Sequence, residues 1–242
     1  MSTGTSKNDD APNWLVDWLK PNFSRNQYIV YLIGCVLFSF GACCFIEAKL
    51  GTDPLDVFSL GLQKQVPAVT IGAAQGGFAA IMLLIWAIWN KKLPIVSPFV
   101  TFFFCGTLID FGRHYKVAAN VPFAHSAGGY PLMFLGVFVC AYASSYIIMS
   151  GIGIRAMDLV AITMVQRWKA PFWVWKTVLE SCLLLSGYLM GGPVGVGTLC
   201  FLGIVDLLIQ PMMIMNQRFF GMRNMGLRGK SESHGAAEGA HA

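Results

Sequence analysis

Five ionisable residues stand where an apolar chain makes them costly. Asp56, Arg155, Asp158, Lys176 and Glu180 fall inside or at the edges of long hydrophobic segments. A charge at the centre of a membrane helix costs about 2.5–3.5 kcal/mol on insertion scales. Asp56 and Asp158 sit one turn inside two short apolar segments, at matching positions. There they can bind a proton or cation in a central cavity, or complement the dipole of a helix start. Arg155 directly precedes the second short segment, as Asp53 precedes the first. An arginine so placed can join unpaired backbone N–H groups to hold an anion, or pair with a lipid phosphate. Lys176 and Glu180 are four residues apart on one helical face, which suits a structural ion pair or a pathway lining. No nucleophile–base pair can be assembled, so enzymatic activity is not expected. His114, His125, His234 and His241 lack metal-ligand spacing and no CxxC occurs, so neither a metal nor another cofactor is expected.

The elements that must position these groups are read from hydropathy. Apolar segments run over 28–48, 54–66, 70–89, 95–111, 130–150, 156–168, 172–190 and 197–215. Segments 54–66 and 156–168 are short for a span, which needs about 20 residues. Pro54 suits the first turn of the first short helix and Asp53 its cap. Asn13 to Lys20, with Trp14, Leu15, Trp18 and Leu19 on one face, predicts an interfacial helix. The glycine runs 72–77 and 191–197 suit close helix packing, or a break that contacts solute. Asp110, Asp206 and Glu47 are placed near the interfaces.

Composition points the same way. Of 242 residues, 55% are hydrophobic and 12% charged, with a mean hydropathy of +0.59. A soluble domain carries about 25% charged residues. The net charge of +5 therefore marks cytoplasmic loops, and no nucleic-acid partner is expected. All seven cysteines lie in apolar stretches, which predicts buried free thiols. The fold class is all-α: a polytopic membrane helix bundle of about eight hydrophobic helices, two of them short, spanning or re-entrant.

Residues 28–66 slide onto 130–168 without a gap. Tyr28 meets Tyr130, Gly34 meets Gly136, Ile46 meets Ile148, Gly51 meets Gly153 and Asp56 meets Asp158. Two internal repeats follow, over 28–112 and 130–215, joined by a loop over 113–129. Residues 1–27 form an N-terminal segment, and 216–242 a basic, then disordered tail. Eight crossings make the repeats parallel; six, with both short helices re-entrant, make them inverted. Either arrangement leaves twelve Lys and Arg inside against four outside, with both termini cytoplasmic.

Gly51-Thr-Asp-Pro-Leu-Asp56, Lys176-xxx-Glu180 and Gly191-Gly-Pro-Val-Gly-Val-Gly-Thr198 resemble the YczE/YyaS/YitT-like family of bacterial integral membrane proteins. The likeness covers most of residues 28–215. It implies a duplicated, multi-pass protein of the bacterial inner membrane, with some members considered candidate exporters of sulfite or related small anions. The expected function is a transporter or exporter of a small anionic solute, with sulfite the best guess. Its partners are then that solute and membrane lipids, with homo-oligomerisation left open. The competing expectation is a non-transporting membrane protein that stabilises or regulates a neighbour. A scaffold tolerates neutral replacement of Asp56, Asp158 and Lys176, whereas a transporter loses flux. Arg155 is expected to matter more to anion flux than Arg113, taken as a loop residue.

Overall fold

A computed structural model of the chain describes residues 24–91, 96–121, 126–153, 155–168 and 172–220. The eight apolar segments all fold as helix. α1 spans Arg25–Ala48, α2 Pro54–Gln65, α3 Ile71–Asn90 and α4 Ser97–His114. After a short 3₁₀ turn come α5 Tyr130–Ser150, α6 Ala156–Trp168 and α7 Phe172–Leu189. The last apolar segment is broken: α8 Val196–Cys200 passes through a π turn at Phe201–Val205 into α9 Asp206–Phe220, which contains Pro211. The two parts differ in direction by 45°. The interfacial helix expected over 13–20 and most of the basic tail lie outside the described residues.

Among the described residues, α1, α3 and α5 are long and apolar enough to cross a membrane, and the bent α8–α9 pair makes a fourth. The protein is an all-α membrane bundle. α4 and α7, of 18 residues each, span about 27 Å but carry Asp110 and Arg113, or Lys176 and Glu180.

Helix directions follow from paired contacts. α1 and α5 run antiparallel. Gln27 Nε2 donates to the Ser150 carbonyl at one end, Gly41 backs onto Cys140 midway, and Gly129 meets Ala48 at the other end. A Cβ on Gly41 would stand 2.6 Å from the Cys140 sulfur, so glycine sets this approach. α1 and α4 run parallel, through Tyr31–Thr101 at 2.8 Å and Ser39 Oγ to the Cys105 carbonyl at 3.1 Å. Two sets of pairings match. α2 packs on α7 as α6 packs on α3, and α1 on α4 as α5 on α9.

The two short helices leave the centre toward opposite ends. Gln65, at the end of α2, donates to the Met190 carbonyl at 3.1 Å, on the side where α3 begins. At the end of α6, Arg167 donates to the Trp89 carbonyl at 2.7 Å, on the side where α3 ends. α3 separates these two ends by about 30 Å.

Candidate functional site: a central cavity between two short helices

The starts of α2 and α6 meet at one cavity of about 50 Å³. At about 10–15 Å³ of such space per water, it admits a solute of a few heavy atoms. Its polar lining includes Asp53, Gln75, Thr101, Ser144 and Arg155, set among apolar walls such as Phe38 and Phe102. A few convergent polar groups on apolar walls is the usual make-up of a ligand pocket.

Local sequence explains the placement. After α1 the chain turns back through Gly51, whose φ is +102°, and Gly51 to Asp53 are buried. Asp53 then caps α2, accepting the Leu55 amide at 3.1 Å. Pro54 follows as the first helical residue. Gly151, with φ at +74°, ends α5 in the same manner. Arg155 then stands before α6, where its carbonyl accepts the amides of Asp158 and Leu159. Both helices thus begin at the cavity, and a helix start carries partial positive charge.

The five residues singled out from sequence divide four ways. Arg155 lines the cavity. Asp56 lies behind the wall, fully buried, and accepts Gln75 Nε2 at 2.7 Å and Thr52 Oγ1 at 3.3 Å. Asp158 is not among the lining residues; its carboxylate sits 3.8 Å from the Arg155 guanidinium. Lys176 and Glu180 pair at 3.6 Å on α7, away from the cavity lining. Sequence reasoning took Asp53 only as a cap and passed over Gln75, Thr101 and Ser144. One signal was present for Asp53: sliding 28–66 onto 130–168 sets it opposite Arg155.

Two further expectations need correction. Arg113 is no plain loop residue. It closes α4, donates to Gln63 Oε1 at 2.9 Å, and lines a second, wider basin of about 880 Å³. Among the cysteines, Cys182 is exposed and Cys200 half-buried, because both lie on outward faces of their helices, whereas the other five are buried. Asp110 accepts the amides of Ile71 at 3.0 Å and Gly72 at 2.8 Å, and so caps α3 from a neighbouring helix.

The chain belongs to a family of unknown function, DUF6198, whose family model matches residues 25–213. It is similar to the uncharacterized protein YyaS of Bacillus subtilis strain 168, with 25% identity over 199 residues, 82% of this chain and 98% of that one. It is also similar to the uncharacterized membrane protein YczE of the same organism, with 25% identity over 176 residues, 72% of this chain and 79% of that one. These relatives agree with the family resemblance carried by the motifs. No solved structure matches the chain.

Proposed function

We propose that this DUF6198 protein moves a small anionic solute, of the size and charge of sulfite, across the bacterial inner membrane. The observation that carries this reading is the central cavity, where two short helices point their N-termini and Arg155 at one small space. Short helices that meet N-terminus to N-terminus at membrane depth are a recurring way to hold an anion in transporters. Asp53, on the same wall, offsets part of that positive charge.

The reading includes six crossings with α2 and α6 re-entrant from opposite sides, and both termini cytoplasmic. Several contacts support it. In an eight-crossing chain, Gln65 and Met190 belong to opposite faces, as do Gln27 and Ser150, yet each pair is hydrogen-bonded. The antiparallel run of α1 and α5 likewise favours inverted halves. With Arg155 at the cavity, eleven Lys and Arg then remain inside against four outside.

The test is a flux screen of the purified chain in liposomes, run across small inorganic and organic anions and including sulfite. Arg155→Gln is expected to cut flux at least tenfold, while Arg218→Gln, at the exposed end of α9, leaves it unchanged. A folded, inserted protein that moves none of these anions returns the chain to the scaffold reading. Equal flux in the two variants removes Arg155 from the site.

A further inference from the structure

The second basin lies against α2, beyond the central cavity. Its charged lining is Glu47, Lys49, Asp110, Arg113 and Lys116, joined by His114. Both Asp110 oxygens are engaged by the α3 amides, and the helix dipole offsets about half of its charge. Three cations, Lys49, Arg113 and Lys116, outweigh Glu47 and Asp110. A basin of this sign concentrates anions.

The two spaces share one face of one helix. Asp53 lines the cavity and Gln63 lines the basin, ten residues apart on α2, or about 15 Å. Between them Asp56 and Leu60 fall on the same face, at helical spacing. Asp56 lies between the two spaces along α2: Gln75, which donates to its carboxylate at 2.7 Å, lines the cavity, and Gln63, two turns further along, lines the basin. Leu60 packs into the apolar core that holds Cys43.

We propose that the basin is an anion-collecting outer vestibule of the central cavity, and that the hydrogen-bonded Asp56–Gln75–Thr52 cluster is the gate between them, closed in this structure. The proposal takes its purpose from the transport reading, but its geometry stands without flux. A carboxylate with Leu60 beside it blocks an anion by charge and by bulk. Breaking the Gln75 bond frees α2 from α3 at that point.

Native thiols report the gate without any knowledge of the solute. In the full chain with Cys105 as its sole cysteine, expressed in intact cells, an impermeant sulfonate-bearing methanethiosulfonate is added outside. Slow labelling is expected in the otherwise native chain, rising at least tenfold in Gln75→Ala and in Thr52→Val. If both variants fold and Cys105 labels no faster, the gate is refuted. A reporter at Ala119→Cys, a basin residue, tests the vestibule in a chain otherwise free of cysteine. It should react from outside, about fivefold faster with the sulfonate reagent than with a trimethylammonium one after correction for their rates with a simple thiol. Lys49→Gln with Lys116→Gln should erase that preference. An unreactive Ala119→Cys overturns the outward vestibule, and equal corrected rates overturn its anion selectivity. A silent flux assay touches neither result.

Discussion

The Leu50 carbonyl accepts the Gly197 amide at 2.7 Å, tying the break before α2 to the start of α8. Its counterpart lies across the molecule, where Ser97 Oγ donates to the Ile152 carbonyl, just after α5. Each break is therefore held by the fourth apolar segment of the opposite half. This reciprocal bracing fixes where α2 and α6 begin, and hence where Asp53 and Arg155 stand.

The bracing leaves no room for a side chain at Gly195. A Cβ there would collide with the Leu50 carbonyl oxygen, whereas Gly77 and Gly203 face open space. Gly195→Ala should lower stability by about 1–3 kcal/mol through overpacking. Gly77→Ala, inside α3, should instead be neutral or stabilising by up to about 1 kcal/mol. Thermal unfolding of both variants in detergent decides this, and equal melting temperatures would remove the close contact from the account.

Asp110 satisfies two otherwise orphaned amides of α3. Asp110→Ala should cost about 1–3 kcal/mol, as loss of a charged cap with two hydrogen bonds. Asp110→Asn retains one acceptor oxygen and should recover part of the loss. The ordering of the three melting temperatures is the measurement, and an alanine variant as stable as the native chain would contradict it.

Lys176 and Glu180 form an ion pair with side chains only 18% and 9% exposed. Removing one member of a buried pair costs about 3–5 kcal/mol, while an apolar replacement of both is often neutral. Lys176→Met should therefore destabilise more than the double variant Lys176→Met/Glu180→Leu. Additive losses in a double-mutant cycle would show that the two side chains act separately.

The proposed six crossings, with both termini cytoplasmic, put the residues after α3 inside and those after α4 outside. In a cysteine-free background, Lys91→Cys should label only from the cytoplasmic side and Asn120→Cys only from outside. Labelling of Lys91→Cys from outside would restore eight crossings.

Much of this fold was legible in the sequence because lipid enforces a simple code. Apolar runs predicted over 130–150 and 156–168 coincide with α5 and α6, and the others differ by a few residues at their ends. The break in the last segment was not legible. A π turn and an internal Pro211 leave its hydropathy continuous. Arg155 was recognisable because a charge beside an apolar helix start is costly. Gln75 and Ser144 were not, since neutral polar residues in spans gain meaning only from what they face. Asp53 satisfies its helix so well as a cap that its second position, on the cavity wall, was hidden.

The glycine-lined seam between α1 and α5 also bears on how the protein is made. Gly41 and Cys140, which meet at its centre, are about 100 residues apart in the chain. At synthesis rates of about 5–20 residues per second, α1 enters the bilayer roughly 5–20 s before its partner exists. During that interval its narrow face, with Gly34 and Gly41, has only lipid or the insertion machinery against it. Biogenesis of this chain thus includes an obligatory wait, and the first helix is the element most exposed to mispairing or quality control while the second half is being translated.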